Sequence, residues 1–81
     1  MKIKVLFFAQ LREAFQEQER VMDVSQGTTA DGLVQLILKN SQADNISTLP
    51  IRCAVNESFV EADYQLKDQD IVSLITPFAG G

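Results

Sequence analysis

A single helical pattern in the middle of the chain, with strand patterns on both sides, restricts the folds that these 81 residues can adopt. Thr28 or Thr29 can cap the start of the helix, and Asp31 lies in its first turn, where the helix dipole favours a negative charge. Asn40 is a residue type that ends helices. The apolar residues recur at the spacing of one helix face: Ala30, Leu33, Val34, Ile37 and Leu38. One helix therefore has to cover the apolar side of a sheet formed by the rest of the chain.

The segments on either side of this helix show the two-residue alternation that is typical of strands. It predicts strands at residues 3–9, 20–25, 51–56, 59–60 and 70–76. Shorter patterns predict a helical turn at residues 10–16 and turns at residues 26–27 and 56–58. We expect residues 41–50 to form a polar loop anchored by Ile46 and Leu49. Pro77 ends the last strand because it cannot donate a ladder hydrogen bond.

This order of elements predicts one α+β domain over residues 1–81, with one main helix packed across a mixed sheet. In such an order the first and last strands can lie side by side at the centre of the sheet. That arrangement is the β-grasp, or ubiquitin-like, fold. The last strand then runs out of the sheet, and we expect residues 77–81 to form a flexible, extended C-terminal tail.

The composition excludes several classes of site and partner. Without histidine there is no histidine-based triad, metal site or neutral-pH base. The single cysteine, Cys53, lies in an apolar stretch, and we expect an inert core thiol in a cytoplasmic protein. Asp63, Asp68 and Asp70 match the spacing of no cation loop, so we expect no metal site. A net charge of −4 and the lack of a long apolar run argue against nucleic acid or membrane and favour a partner with a basic surface.

The chain ends in Gly80-Gly81, which leaves an α-carboxylate with no side chain beside it. Such a tail can enter a narrow active site of another protein, because no Cβ crowds its carbonyl. A bare carboxylate is a poor acyl donor, but adenylation by ATP gives it AMP as a leaving group, and sulfur or an amine can then attack. The alternative is that the two glycines are only a frayed chain end.

Apolar residues on the strand face that points away from the helix predict a partner surface. If Val72 and Leu74 pack on the helix, the alternate residues Ile71, Ser73 and Ile75 lie on the opposite face of the last strand. By the same alternation Phe8 lies on that face of the first strand, and Phe59 lies nearby. An exposed apolar patch of this kind usually marks an interface. The alternative is that these residues lie under the long loop.

Four segments of the chain resemble those of a known family: residues 1–13 (MKIKVLFFAQLRE), 54–56 (AVN), 66–72 (LKDQDIV) and 77–81 (PFAGG). They are similar to the opening, the A-V-N and L-x-D-G-D-x-V segments and the P-x-x-G-G end of the small, sulfur-carrying subunit of molybdopterin synthase. The resemblance covers essentially the whole chain. The chain departs from the family at Gln69, where glycine is usual, and at Thr76-Pro77, where a double proline is frequent.

The resemblance implies a non-catalytic carrier subunit of a sulfurtransferase, with no permanently bound cofactor. Gly81 would be adenylated by a ubiquitin-activating-like adenylyltransferase that uses ATP, and then converted to a thiocarboxylate, with Gly80 as its spacer. The large subunit of molybdopterin synthase would form a hetero-oligomer with the chain, such as a heterotetramer. It would use the sulfur to build molybdopterin from cyclic pyranopterin monophosphate. Pro77, Phe78 and Ala79 would contact that subunit at the mouth of its tunnel.

Other interpretations of the sequence remain open. Arg12 is either a contact at the rim of the partner surface or a surface charge of no consequence. A related carrier on the same fold would feed sulfur to thiamine, cysteine or transfer RNA synthesis through the same chemistry at Gly81. A ubiquitin-like modifier would be joined to lysines, but residues 76–79 lack the basic residues usual in such tails. A plain β-grasp binding module would use no tail chemistry.

Overall fold

The computed structural model describes residues 1–39 and 51–76. In chain order its elements are β1 (Lys2–Phe7), α1 (Ala9–Phe15), β2 (Glu19–Asp23), α2 (Ala30–Lys39), β3 (Arg52–Val55), β4 (Ser58–Phe59) and β5 (Ile71–Ile75). Within these residues no helix is long and apolar enough to cross a membrane. The following predicted features lie outside the described residues: Asn40, Ile46, Leu49, Pro77, Phe78, Ala79, Gly80 and Gly81.

The described strands form one mixed sheet in the order β2-β1-β5-β3-β4. β1 and β5 are adjacent and parallel, with Val5 opposite Val72, and the other pairs are antiparallel. The predicted central pairing of the first and last strands is therefore confirmed. Because the central strands are parallel, their C-terminal ends reach the same edge of the sheet.

The hydrophobic core lies between the sheet and α2. Alternate residues of β1 and β5 are buried, as the predicted alternation requires. Burying one such side chain contributes roughly 1.5–3 kcal/mol to folding. The predicted apolar stripe of α2 is confirmed, since four of its members are buried and the fifth packs against the core while partly exposed: Ala30, Leu33, Val34, Ile37 and Leu38.

The start of α2 is capped by Thr29. The backbone N–H of Gly32 donates to Thr29 Oγ1 at 3.0 Å. The hydroxyl of Thr28 instead donates to the Ser25 carbonyl at 2.7 Å, so the structure selects the second of the two predicted caps. A Cβ on Gly32 would lie 3.2 Å from Thr29 Oγ1. Glycine in the first turn therefore leaves room for the cap.

The first strand ends earlier than its alternation predicts. β1 stops at Phe7, and the prediction that it extends to Ala9 was wrong. Phe8 keeps an extended backbone, with φ −125° and ψ 154°, but its carbonyl accepts the N–H of Leu11 at 3.0 Å. Phe8 is therefore the N-cap residue of α1, which begins at Ala9. The predicted helical turn is confirmed with a shift of one residue.

A polar contact between two turns fixes the start of β5 against the end of β3. Asn56 Nδ2 donates to Asp70 Oδ1 at 3.1 Å, while Asn56 Oδ1 accepts the N–H of Ile71 at 3.1 Å. The second carboxylate oxygen of Asp70 accepts the N–H of Lys67 at 2.8 Å. Asp70 is buried, so these bonds satisfy a carboxylate that would otherwise be costly to desolvate. Two of the segments quoted for the family resemblance thus have a structural role here.

Candidate functional site

The outer face of the sheet, which points away from α2, carries a hollow of about 380 Å³ that we call the outer hollow. Its walls include Phe8 and Phe59, with 39% and 58% of their surface exposed. Large apolar side chains exposed around one concavity often mark an interaction site. The lining residues are Phe8, Ala54, Glu57, Phe59, Ser73 and Ile75. The structure therefore brings Phe8, Phe59 and Ile75 together around one concavity.

The strand register explains why the outer hollow is concave. Ser73 of β5 lies opposite Ala54 of β3, and Ala54 lies opposite Phe59 of β4. The two central residues of this row are small, whereas the residue at its edge is a phenylalanine. Ile75 and Phe8 lie toward the C-terminal ends of the two parallel strands. The small side chains of Ala54 and Ser73 therefore lie at the bottom of the hollow, and the larger apolar side chains lie around it.

A second hollow of about 350 Å³ adjoins the first on the outer face. It is lined by Leu6, Asn56, Glu57, Ile71 and Ser73. Glu57 and Ser73 line both hollows, so the two form one continuous surface. We call the second one the neighbouring hollow.

Phe59 is held at the sheet edge by a cation–π contact. The guanidinium carbon of Arg52 lies 4.8 Å from the centroid of the Phe59 ring. An exposed contact of this type stabilises by about 0.5–1 kcal/mol. It contributes to the packing of a ring that is only partly buried and forms one wall of the outer hollow.

Arg12 lies on another part of the surface. It lines a polar hollow with Glu13, Gln16, Glu17 and Gln18, and it is not among the residues that line either hollow of the outer face. The structure therefore does not bring Arg12 together with Phe8 and Ile75 in one concavity. Its role in partner binding stays a prediction.

The predicted reacting end of the chain follows the outer hollow directly in sequence. Ile75, the last residue of β5, lines the hollow, and Thr76 is the last described residue after it. The tail residues with predicted roles lie outside the described residues: Pro77, Phe78, Ala79, Gly80 and Gly81. The described part of the last strand thus ends beside the outer hollow.

Cys53 is a core residue, as the sequence predicts. It is buried, and its thiol lies 3.9 Å from the Ala30 carbonyl. Burial, together with the negative charge of Asp31, raises the pKa of the Cys53 thiol to about 11. The thiolate fraction at neutral pH is correspondingly small, so Cys53 is unsuited to carry sulfur as a nucleophile.

Sequence reasoning missed two residues that line the outer hollow, Ala54 and Glu57. The alternation of the last strand already puts Ser73 on the same face as Ile75, and Ala54 was identifiable in the same way, because it alternates with the core residues of β3. Glu57 lies in a turn, where alternation gives no information about side-chain direction. Only the hairpin geometry places it beside the hollows.

Comparisons with known proteins agree with this architecture. The model of the ThiS family matches residues 5–81. A molybdopterin synthase sulfur carrier subunit from Chlamydomonas reinhardtii is 34% identical over 84 residues, with 100% of both chains covered. A solved structure described as molybdopterin converting factor subunit 1 from Pyrococcus furiosus has a TM-score of 0.80 and 25% identity, covering 90% of this chain and 93% of that chain.

A complex of subunits 1 and 2 of the molybdopterin-converting factor from Helicobacter pylori has also been solved. One of its chains is similar to this one with a TM-score of 0.69 and 23% identity, and each chain is covered completely, at 100%. At this identity the likeness shows the fold. Together with the Pyrococcus structure it confirms the predicted β-grasp arrangement.

Proposed function

The chain belongs to the ThiS family, and from that membership we propose that it is the sulfur carrier subunit of a molybdopterin synthase. The observation that carries the proposal is the 34% identity to such a subunit over the whole of both chains. The predicted resemblance to this group is thereby confirmed.

The reacting group in this proposal is the carboxylate of Gly81. It attacks the α-phosphorus of ATP in the active site of an adenylyltransferase, and pyrophosphate leaves. A hydrosulfide equivalent then attacks the acyl carbon of the glycyl adenylate, so that a C–S bond forms and AMP departs. The product is a thiocarboxylate, which donates its one sulfur to cyclic pyranopterin monophosphate and is released by water as the original carboxylate. Two thiocarboxylated chains therefore supply the two sulfur atoms of one dithiolene. ATP is consumed by the activating enzyme, and the carrier holds no permanent cofactor.

The outer hollow is the surface on which the large synthase subunit docks. Phe8, Phe59 and Ile75 surround this concavity, and the chain leaves for the tail directly after Ile75. Docking there brings the tail to the partner's active site, with Pro77 and Phe78 at its mouth. The Helicobacter pylori complex supports a partner of this kind, since it contains subunits 1 and 2 of a molybdopterin-converting factor. We propose that this chain and its large subunit lie in the cytoplasm.

Tail chemistry is tested by measuring the intact mass of the chain. After incubation with the cognate adenylyltransferase, ATP and a sulfur donor, the mass should rise by the difference between one sulfur and one oxygen atom. A variant that lacks Gly81 is the control and should keep its mass, because its terminal carboxylate, now on Gly80, lies one residue short of the activating site. An unchanged mass of the full chain, with an adenylyltransferase shown to be active on another carrier, would refute the proposal.

The acceptor is tested by mixing the thiocarboxylated chain with cyclic pyranopterin monophosphate. No dithiolene should form until the large subunit is added, since the chain has no histidine and its only thiol is buried. The second candidate function is a related sulfur carrier for thiamine, cysteine or transfer RNA thiolation. Sulfur transfer to one of those acceptors, but none to the pterin with its large subunit, would favour that candidate instead.

A further inference from the structure

Glu57 has a backbone conformation that disfavours its own side chain. In the turn between β3 and β4, Asn56 has φ 50° and Glu57 has φ 75°. Asparagine tolerates this left-handed region, whereas a residue with a longer side chain is strained there. Hairpin turns of this kind usually carry glycine at the second position. A glycine at position 57 would therefore relieve the strain.

Nothing in the described part of the chain offsets that strain through the carboxylate of Glu57. The ion pairs there join Lys2 to Asp23, Lys4 to Glu19 and Arg20 to Glu17. Glu57 is exposed and makes no side-chain hydrogen bond to another described residue. The side chain is thus available to a molecule outside the chain.

The position of Glu57 indicates what that molecule presents. Glu57 is the one charged residue that lines both the outer hollow and the neighbouring hollow. The other lining residues are apolar or neutral, so a partner that fills the hollows with apolar side chains removes water from the side of the carboxylate. An ion pair formed at such a rim is stronger than one in open solvent. Strained backbone at a binding surface is a recognised sign of function.

We propose that Glu57 is a specificity residue of the docking surface, and that it pairs with an arginine or lysine of the large subunit. That cation lies next to the apolar side chain that enters the hollows. The inference rests on the proposed function for the identity of the partner. A partner with an acidic residue at the same point is rejected, because two like charges would be brought together out of water.

The test compares three substitutions of Glu57 with a matched control elsewhere. Glu57→Gln removes the charge, Glu57→Lys reverses it, and Glu57→Gly removes the charge together with the backbone strain. The control is Gln69→Gly, because Gln69 also has a left-handed backbone, with φ 73°, but lines neither hollow. Affinity for the cognate large subunit is measured by calorimetric titration at low and high salt, and stability by thermal melting.

We expect Glu57→Lys to weaken binding by more than about tenfold at low salt, and Glu57→Gln to weaken it less while reducing its salt dependence. Glu57→Gly should raise the melting temperature and still weaken binding about as much as Glu57→Gln. Gln69→Gly should raise the melting temperature and leave binding unchanged. A residue with only a structural role would not show this opposition between stability and affinity.

Two results would overturn the inference about Glu57. Wild-type affinity of Glu57→Gln and Glu57→Gly would show that no cation pairs with Glu57, even if Glu57→Lys were weakened by a clash. If the Glu57 variants lost affinity for the adenylyltransferase but kept their affinity for the large subunit, the large subunit would be the wrong partner.

The variant Phe8→Asp separates this inference from the proposed function. If Phe8→Asp also bound the large subunit normally, the docking surface itself would be wrong.

Discussion

Thr76 buries a hydroxyl group at the point where the chain leaves the sheet. Only 3% of the residue is exposed, and Thr76 Oγ1 has no hydrogen-bond partner in the described structure. A buried hydroxyl without a partner loses its hydrogen bonds to water and gains nothing in return. An apolar residue of the same shape at position 76 would therefore make the fold more stable.

Thr76→Val should raise the free energy of unfolding by about 1 kcal/mol, because valine has the same shape and no hydroxyl to desolvate. Urea denaturation measures the change. The matched control is Thr28→Val, which removes a hydroxyl that donates to the Ser25 carbonyl at 2.7 Å. The free energy of unfolding of that variant should fall by about 0.5–1.5 kcal/mol. An equal fall in the free energy of unfolding of both variants would mean that Thr76 Oγ1 has a hydrogen-bond partner in solution.

Asp68 ties a surface turn to the first residue of β1. Asp68 Oδ1 accepts the N–H of Lys2 at 2.7 Å. This backbone hydrogen bond, helped by the side chain of Gln69, lowers the pKa of the Asp68 carboxyl from its usual value of 3.8. A lowered pKa in the folded state means that the charged carboxylate stabilises the fold above pH 3.8. The contribution is lost as the pH falls below that value toward the pKa of the folded state.

Asp68→Ala should therefore lower the melting temperature at neutral pH, and the difference from the wild-type chain should shrink as the pH falls below 3.8. Thermal melts across the acidic range measure it. Asp63→Ala, at an exposed turn residue, controls for the loss of one negative charge. A difference between wild type and Asp68→Ala that stays constant down to the lowest pH would contradict the assigned hydrogen bond.

At the scale of elements, β1 and the residue after it place two adjacent phenylalanines on opposite faces of the sheet. Phe7 is 1% exposed and its ring centroid lies 5.1 Å from that of Phe15, whereas Phe8 is 39% exposed and lines the outer hollow. Alternation alone predicts this separation. Alternation does not predict that Phe8 is also the N-cap of α1. The helix start depends on the hydrogen bond from the Leu11 N–H to the Phe8 carbonyl, which strand alternation does not reveal.

Phe7→Ala should lower the free energy of unfolding by about 3–5 kcal/mol through a cavity in the core. Phe8→Asp should leave it unchanged or raise it by up to about 1 kcal/mol, because aspartate is a favourable N-cap and Phe8 provides no side-chain cap. Urea denaturation measures both. The same Phe8→Asp chain should bind the large subunit more weakly by at least about 2 kcal/mol, as expected for a buried aromatic anchor. A larger loss of stability in Phe8→Asp than in Phe7→Ala would mean that Phe8, and not Phe7, lies on the core face of the sheet.

The parts of the fold that follow from periodicity were predictable, and those that depend on backbone angles were not. The stripe of α2 and the buried face of β5 are confirmed because side-chain direction repeats along regular elements. The left-handed conformation of Glu57 carries no sequence signal, since glycine is the residue that usually marks it. The concavity beside Phe59 depends on pairing Ala54 with Ser73 across two strands, and no local pattern reveals that register.

At the scale of the whole molecule, the parallel pairing of β1 and β5 places the outer hollow beside the end of the last strand. Both strands end at the same edge of the sheet, so Phe8, which follows β1, and Ile75, which ends β5, lie beside one hollow. The chain then leaves this edge at Thr76. In the proposed function a partner seated on the hollow is held a fixed distance from the start of the tail. The reach of the carboxylate is then set by the number of residues after β5.

A chain lengthened by one glycine after Gly81 should therefore bind the large subunit normally and fail to transfer sulfur, because its thiocarboxylate lies roughly 3.5 Å too far along the tunnel. The thiocarboxylate is installed on the terminal residue by intein cleavage, so that the adenylyltransferase cannot bias the result, and dithiolene formation is followed in a single turnover. The matched control carries the same added glycine and lacks Ala79, which restores the original length. It should recover transfer if distance is the cause. Full activity of the lengthened chain, with its mass shown to be intact, would exclude a tail that reaches a fixed depth from the outer hollow.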